Sequence, residues 1–436
     1  MTDLRYQFED AEWLAYGSHT LSVASASSFK VNATNVTSLY LTGLRLKIKD
    51  TTTLYGTVVS SSFSTDTTVN VELDSGSIAS ASAVALAIIK PTNRSLPDNL
   101  VSNPNMLING QFRISQRGTT FTSATTPANN DDTYLLDRWT LLSDGNDILD
   151  VSQETTTVPD GSYAAIKLDV ETANKKAGIL QILEARDAKK IINGRASLSF
   201  KARVGTNATV DIIRAAVVSC TSAADSVTSD IVTTWNTEGT SPTLIATWTY
   251  ENSPSSLTLT TTYKKFSIEN ISIDTASTAN VGVFIWIENG DATVGDFVYI
   301  TDVKLESGSC ATPYPVELEA DVQARCFRYT VVLNTSTRYA LANAYFDTTT
   351  VVLLGRVPLP VRMRTTPSVT QSGTTSDFNI SRPTSSYASA TSLQAASEIG
   401  TDSFAVNWTS ASASTAGYPT ALALNTTAVI TVSAEL

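Results

Sequence analysis

Residues able to perform nucleophilic or acid–base chemistry are scarce in this sequence of 436 residues. It contains one histidine, His19, and three cysteines, Cys220, Cys310 and Cys326. A Ser-His-Asp triad, a Cys-His pair and a multi-histidine metal site all need imidazole at the site. No Cys-x-x-Cys pair occurs, and three is an odd number for a disulfide framework. The sequence therefore indicates no catalytic residue, no metal site and no cofactor.

Carboxylates are plentiful, with 41 Asp and Glu, and one cluster combines Asp144, Asn146, Asp147 and Asp150. Hard oxygen ligands of this kind suit Ca²⁺. The spacing does not match an EF-hand loop, so a solvated turn is the favoured interpretation. Two carboxylates about 5 to 10 Å apart could hydrolyse a polysaccharide. With so many acids some pair meets that distance by chance, and we predict no enzyme.

Aromatic residues are the other candidates for a binding site. Asp137, Arg138 and Trp139 could form a sugar platform, because tryptophan stacks on sugar rings and the charged groups bond to hydroxyls. Leucines on both sides favour instead a core tryptophan and an arginine paired with an acid. Trp235 and Trp248 flank a loop-like stretch, and core positions are again the favoured interpretation.

Length, charge and hydropathy narrow the class of protein. The length suggests two to four domains at roughly 100 to 200 residues each. The formal net charge is −11, which gives no attraction for a phosphate backbone, so we expect no nucleic-acid partner. No apolar run approaches the ~18 residues that span a bilayer, and the N-terminus lacks the pattern of a signal peptide. We expect no membrane insertion and synthesis in a cytoplasm without an export signal.

Period-2 alternation of apolar and polar residues dominates the sequence and predicts a mostly β protein. Leu44, Leu46 and Ile48 alternate with basic residues, and the apolar positions in 198–204 form a second row. Residues 297–305 contain a third, in which Phe297, Tyr299, Thr301, Val303 and Leu305 fall on one face of a predicted strand.

Two segments lack the period-2 alternation. Residues 91–104 are rich in proline and asparagine and are predicted to be a linker. Residues 317–330 follow two prolines and carry a helical stripe, Leu318, Val322, Cys326 and Tyr329, with acids in the first half and bases in the second. Their positions predict a β-rich domain at 1–90, a β domain at 105–316, the helix and a C-terminal β domain at 331–436.

The stripe on the predicted helix 317–330 needs a partner, because an isolated helix of this length is marginally stable. The helix could pack on its own β-sandwich, or three copies could meet around a threefold axis. On the second alternative Leu318, Val322, Cys326 and Tyr329 form an oligomer interface. The sequence leaves both alternatives open.

The segment 368–414 is rich in Ser, Thr and Ala, a composition shared by disordered chains. Phe404, Val406 and Trp408 nevertheless alternate, and a second alternating row follows from Ala428 to Leu436. We therefore predict an ordered β domain that continues to the last of these strands.

An ordered set of motifs runs from Asn105 to Leu436. It begins with NGQF at 109–112 and DRW at 137–139, continues with VKLESGSCATPYP at 303–315, and ends with CFRY at 326–329, RTTPSVT at 364–370 and AEL at 434–436. This order resembles a module of bacteriophage tail fibres and other virion appendages. The resemblance implies a central jelly-roll β-sandwich similar to carbohydrate-binding modules, followed by a C-terminal β-sandwich and trimeric assembly.

The N-terminal region resembles a second phage element. Phe29 and Val31 are followed by GLRLKIK at 43–49, YGTVVSS at 55–61 and TTVNVELDSG at 67–76, as in virion-proximal parts of tail fibres and tailspikes. The resemblance implies that residues 1–90 attach to other virion proteins.

These observations lead to three functional hypotheses. The favoured one is a non-enzymatic virion protein, a trimeric tail fibre whose sandwiches recognise host-surface glycans, with weak sites acting together through avidity. The alternative is a structural role only, as a head fibre, capsid decoration or tail adaptor. A polysaccharide depolymerase is the least favoured, because long β-helical repeats are absent from the sequence.

Overall fold

The computed structural model describes residues 8–10, 13–15, 19–87, 104–206, 208–288, 292–334, 339–381, 387–393, 395–425 and 427–436. The predicted linker, 91–104, lies outside these ranges except for Pro104. Within them the chain is almost entirely β, which confirms the predicted fold class, and no helix there is long and apolar enough to cross a membrane.

The N-terminal part forms one sheet of eight described strands, in the order β1-β2-β8-β5-β6-β7-β4-β3. Its core lies on one face, where Phe29, Leu46, Ile48 and Val69 are buried. The buried residues of β5 alternate with Arg45, Lys47 and Lys49, as predicted from the sequence. The strands are β1 Phe8–Asp10, β2 Trp13–Ala15, β3 Leu21–Ser25, β4 Ser28–Val31, β5 Arg45–Lys49, β6 Thr53–Phe63, β7 Thr67–Leu73 and β8 Ala83–Ala87.

The central part is a sandwich of two antiparallel sheets. The seven-stranded sheet runs β10-β11-β14-β22-β16-β19 with β20 also beside β16, and the six-stranded sheet runs β21-β15-β23-β13-β12-β9. The elements are β9 Thr120–Phe121, β10 Thr133–Tyr134, β11 Thr140–Ser143, β12 Leu149–Glu154, β13 Ala165–Val170, β14 Ala177–Ile182, α1 Ala185–Ala188, β15 Arg195–Val204, β16 Ile212–Cys220, β17 Val232–Thr234, β18 Thr243–Leu244, β19 Trp248–Tyr250, β20 Leu257–Thr258, β21 Lys264–Ser272, β22 Asn280–Ile287, β23 Phe297–Ser307 and α2 Glu319–Phe327.

The main core fills the space between these two sheets, with Leu198, Phe200, Val283 and Ile300 among its buried residues. The outer face of the seven-stranded sheet carries a second apolar cluster that includes Phe284 and Trp286. Residues of α2 and of the segment between β16 and β19, which includes β17 and β18, cover this face, so both faces of the sheet are buried.

The single-face row predicted for residues 297–305 is wrong, because β23 contains a bulge. Asp302 has a φ of +53°, and the register of β23 with β15 shifts between Ser199 and Lys201. A bulge adds one residue to a strand and so exchanges the faces on either side of it. Val303 and Leu305 therefore lie in the main core, whereas before the bulge Val298 and Ile300 occupy the core.

The C-terminal part differs from the sandwich expected there. Six strands form a closed barrel, β25-β26-β30-β29-β28-β31, and a separate three-stranded sheet, β24-β32-β27, lies beside it. Phe404, Val406 and Trp408 are fully buried in the core of this C-terminal part, which confirms the prediction of an ordered β domain rather than a disordered segment. The strands are β24 Thr330–Leu333, β25 Tyr339–Phe346, β26 Val351–Pro358, β27 Ser368–Ser372, β28 Phe378–Ser381, β29 Tyr387–Leu393, β30 Ser403–Ser410, β31 Pro419–Leu424 and β32 Val429–Ser433.

Candidate functional site

The motif residues near Asn105 lie across strand β23. The side-chain amide of Asn105 donates to the carbonyl of Val303 at 2.9 Å, and its oxygen accepts from the amide of Leu305 at 3.1 Å. At Gly110 a Cβ atom would lie 2.1 Å from the carbonyl oxygen of Val303. The glycine of the NGQF motif is therefore required by the close approach of two backbones.

The Asp-Arg-Trp motif is buried, as the structural interpretation predicted. The Trp139 indole is 1% exposed and donates to the carbonyl of Asn109 at 3.1 Å. The Arg138 guanidinium is ion-paired with Glu435, donates to the carbonyl of Ile182 at 2.8 Å and lies 3.6 Å from the ring centroid of Tyr329. These residues join the sandwich to α2 and to the segment after β32, and they present no surface to a ligand.

A second buried carboxylate holds the end of helix α2. Arg328 donates two hydrogen bonds to Glu184, at 2.8 and 2.9 Å, and the hydroxyl of Tyr329 donates a third at 2.6 Å. Burial raises the pKa of this carboxyl, but the hydrogen bonds from Arg328 and Tyr329 outweigh it and hold the pKa of Glu184 below its ordinary value.

Three of the four residues proposed for an oligomer interface are buried within their own chain. Val322 and Cys326 are each 1% exposed and Tyr329 is 2% exposed, packed against the outer face of the seven-stranded sheet. Leu318 is 67% exposed, because it is the N-cap and α2 begins only at Glu319. The structure thus provides the intramolecular partner that one alternative required, and it leaves only Leu318 of the four at the surface.

The acidic cluster does not form a single cage. Asp144 is paired with Lys175 at 2.9 Å, whereas the side-chain amide of Asn129 donates to Asp147 at 3.0 Å and to Asp150 at 2.9 Å. Burial, together with nearby Glu171 and Asp147, raises the pKa of Asp150 to about 6. Among the described residues no group of three or more His, Cys, Asp or Glu side chains could hold a metal ion.

The two other tryptophans differ in exposure. Trp248 is 4% exposed, while Trp235 is half-buried with its ring centroid 5.9 Å from that of Phe284. Both pack on the outer face of the seven-stranded sheet, so neither forms an open platform.

An open groove lies instead beside the six-stranded sheet, at the β23 bulge. Asp302, 6% exposed, accepts hydrogen bonds from Gln111 and Ser162, each at 2.8 Å, and is ion-paired with Lys201 at 2.8 Å. A buried carboxylate with three donors is fixed in position, and it holds Gln111 and Lys201 in the wall of the groove.

An exposed aromatic ring borders this groove. Tyr163 is 61% exposed, and the guanidinium carbon of Arg113 lies 3.7 Å from its ring centroid. Arg113 is held in turn by the carbonyl of Glu317 at 3.0 Å and the side-chain oxygen of Gln111 at 2.9 Å. We call this cavity of about 350 Å³ the Tyr163 groove; its lining residues include Gln111, Arg113, Asp160, Tyr163, Lys201, Asp302 and Glu317.

The opposite wall of the Tyr163 groove is the segment that precedes α2. The hydroxyl of Tyr314 donates to Glu317 at 2.7 Å, and Arg325 is ion-paired with the same carboxylate at 3.1 Å. Burial, then the neighbouring Glu317, raises the pKa of Tyr314 well above its ordinary value, so this hydroxyl remains a donor. A fixed wall of amide, carboxylate and cationic groups beside an exposed ring can bind a polyol by stacking and hydrogen bonds.

Sequence reasoning did not single out the residues of the Tyr163 groove. Gln111 and Arg113 follow the NGQF motif, but Asp302 enters the site only because the bulge turns it. One usable signal was present: Tyr163 directly follows the turn-forming residues Asp160, Gly161 and Ser162, and connecting segments of this kind run over the protein surface.

A second cleft, of about 520 Å³, lies between the sandwich and the three-stranded sheet. Hydroxyls of β27 and β32 line one side, and Arg117 and Tyr134 line the other. Arg117 is tied to Thr330 at 2.7 Å and to Glu435 at 3.3 Å. Its position makes this cleft part of the junction between the two domains.

Comparisons with known proteins identify no close relative. No protein-family model matches the sequence, and no curated protein matches it. A solved carbohydrate-binding module in complex with β-1,4-galactotriose is 15% identical, and the match covers 47% of this chain and 99% of that one, with a TM-score of 0.27. A family 22 carbohydrate-binding module of Clostridium thermocellum is 11% identical, covering 42% and 94%, with a TM-score of 0.27.

The enzymatically active domain of a tailspike protein from Bacteriophage CBA120 is 13% identical, with a TM-score of 0.28. That match covers 47% of this chain and only 21% of the tailspike chain. Similarities this low assign neither a family nor a function.

Proposed function

We propose that this protein is a non-catalytic virion appendage, a trimeric bacteriophage tail fibre that binds host-surface glycans in the Tyr163 groove. The observation that carries glycan binding is the exposed Tyr163 ring, held by Arg113 at 3.7 Å beside a groove lined by fixed polar side chains. Stacking on an aromatic face combined with hydrogen bonds to planar polar groups is how proteins bind polyols at shallow sites.

The virion part of the proposal rests on the ordered motifs. Asn105, Gly110, Arg138, Tyr329 and Glu435, which carry the resemblance to phage appendages, all lie at contacts between distant parts of the chain. Motif residues in such positions preserve a shared architecture. The N-terminal sheet would then attach to other virion proteins, and the protein would be made in the host cytoplasm and become part of the virion as a tail or head appendage.

A purely structural appendage is the second candidate, and one observation favours it. The outer face of the seven-stranded sheet, which is a large surface in this sandwich, is covered by α2 and by the segment between β16 and β19. A sandwich closed in this way suits a head fibre, capsid decoration or tail adaptor that only packs against neighbours.

A glycan array tests the two candidates against each other. The full chain is labelled and applied to bacterial capsule and lipopolysaccharide oligosaccharides, and wild type is compared with Tyr163→Ala. We expect wild-type binding that the substitution weakens. Absence of binding to host cells and to every glycan, even when the protein is displayed multivalently, would leave the structural role. Release of reducing ends from a bound glycan would contradict a non-catalytic protein.

Solution mass tests the assembly. A trimer has three times the chain mass of 46.5 kDa, about 140 kDa. Light scattering that gives 46.5 kDa at every protein concentration measured would refute the trimer.

A further inference from the structure

Two lysines lie directly opposite each other at one end of the Tyr163 groove. Lys201 of β15 and Lys265 of β21 are antiparallel register partners, so their side chains leave the same face of the six-stranded sheet. Opposed residues in such a pair have Cβ atoms about 4.5 to 5.5 Å apart, and like charges there are destabilising. The Lys201 side chain is 31% exposed, and Lys265 is exposed.

Only one of these ammonium groups has a carboxylate partner in the described part of the chain. Lys201 is paired with Asp302 at 2.8 Å, and both oxygens of that carboxylate are occupied by Lys201, Gln111 and Ser162. Lys265 forms no ion pair there. The nearby Lys304 is ion-paired with Glu306 at 3.1 Å, so of these three lysines only Lys265 lacks a carboxylate partner among the described residues.

Both lysines line a cavity of about 260 Å³. Lys201, Lys265, Asp302, Pro313 and Tyr314 line it, and Lys201, Asp302 and Tyr314 also line the Tyr163 groove. The two cavities therefore adjoin. A sugar chain that stacks on Tyr163 can continue past Asp302 towards Lys265.

We propose that this adjoining cavity, the lysine subsite, binds the carboxylate of an acidic sugar, so that the groove recognises glycans containing uronic acids or other carboxylated sugars. This inference rests on the proposed glycan-binding function. The charge of Lys201 is already balanced by Asp302, so Lys265 supplies the net positive charge that a sugar carboxylate in this cavity would meet, through a charge-assisted hydrogen bond. The formal net charge of −11 gives no long-range attraction for an acidic glycan, so the selectivity arises from these short-range contacts.

The chain offers a matched pair of variants. Lys265→Gln removes the charge of an exposed side chain that forms no ion pair among the described residues. Lys264→Gln removes the same charge one position earlier, on the opposite face of β21, where the Lys264 Nζ lies 5.1 Å from the ring centroid of the core residue Phe266. Both variants have the same net charge, so non-specific electrostatics affect them equally.

The probes are the acidic and neutral oligosaccharides of the glycan array, and every uronic-acid glycan that binds is tested again after reduction of its carboxyls to hydroxymethyl groups. We expect wild type to bind the carboxylated form about 3- to 10-fold more tightly than the reduced form, as one charged hydrogen-bonded contact would give. Lys265→Gln should abolish this difference, and Lys264→Gln should retain it.

The other outcomes separate this inference from the proposed function. Equal affinity of wild type for carboxylated and reduced forms, equal behaviour of the two lysine variants, or binding of neutral glycans alone would overturn the lysine subsite while supporting glycan recognition. Binding of no glycan would overturn both.

Discussion

The carboxylate of Glu435 is ion-paired with the guanidinium of Arg138, which lies 297 positions earlier in the chain. Their side chains are 7% and 2% exposed, and Arg117 reaches the same carboxylate at 3.3 Å. Burial opposes ionisation of Glu435, but Arg138 and then Arg117 hold its pKa below the ordinary value. This contact fixes the end of the C-terminal domain to the central sandwich.

Replacing Glu435 by alanine should therefore be strongly destabilising. The substitution leaves Arg138 buried without its anion, which costs about 3 to 5 kcal/mol in free energy of unfolding. Chemical denaturation measures this change. The control is Glu398→Ala, which breaks an exposed pair with Arg356 and should cost less than about 1 kcal/mol. A similar small loss for both variants would contradict a structural role for the buried pair.

Gly110→Ala should destabilise the sandwich because its Cβ atom would lie 2.1 Å from the carbonyl oxygen of Val303. Separation of the two backbones also weakens the bonds of Asn105 to β23, and we expect a loss of at least about 2 kcal/mol. Thermal and urea unfolding provide the measurement. Gly400→Ala, whose nearest contact would be an ordinary 3.6 Å, should change stability little, and equal losses at the two glycines would refute the argument.

Asp150 should give the protein an unusual pH dependence. Its folded-state pKa of about 6 exceeds the ordinary value of 3.8, so between these values the folded state holds a proton that the unfolded chain releases. Stability should fall as pH rises through this window and stay lower above it, by about 1 to 2 kcal/mol after allowance for solvent screening.

Asp150→Asn should remove this contribution and raise the melting temperature at pH 7. Unfolding curves from pH 4 to pH 8 test it, with the exposed Asp274→Asn as control. A profile for Asp150→Asn that is parallel to wild type would show that the carboxyl titrates normally.

Tyr163→Ala should weaken glycan binding about 5- to 10-fold, the loss expected for one aromatic stacking contact. Because the ring is 61% exposed, stability should change by no more than the ~0.5 to 1 kcal/mol of its contact with Arg113. Titration calorimetry with an array-selected oligosaccharide gives the affinity. Tyr418→Ala, at a residue 46% exposed in the C-terminal domain, should bind as wild type does. Equal weakening of both would place binding elsewhere.

Local patterns predicted the class of fold well. The alternation in β5 and β30 identified buried and exposed faces, and the stripe at Val322, Cys326 and Tyr329 identified α2. The leucines around Trp139 indicated its burial. Each of these features depends on residues only a few positions apart, so the spacing of apolar residues along the sequence is enough to predict it.

Features that depend on the pairing of strands distant in the sequence could not be predicted from local spacing. The facing of Lys201 and Lys265 follows from the register of β15 with β21, and the position of Asp302 follows from a bulge that the row at 297–305 does not reveal. The sequence predicts a sandwich where the structure has a barrel, because strands of both architectures show the same alternation of apolar and polar residues. Closure of the barrel depends on the pairing of β31 with both β25 and β28.

The three-stranded sheet carries the chain from the sandwich to the barrel and back. Gln116 and Arg117 bind Thr330 at the start of β24, and Arg117 and Arg138 bind Glu435 after β32. The segments that lead into and out of the C-terminal domain are therefore both anchored to the central sandwich. Apart from an isolated bridge between Ala405 and Ser397, the six barrel strands pair only with one another among the described residues, and a closed barrel exposes no strand edge. A second copy of the chain therefore finds no edge strand on the barrel to extend, so crowding of copies should not cause aggregation through this domain.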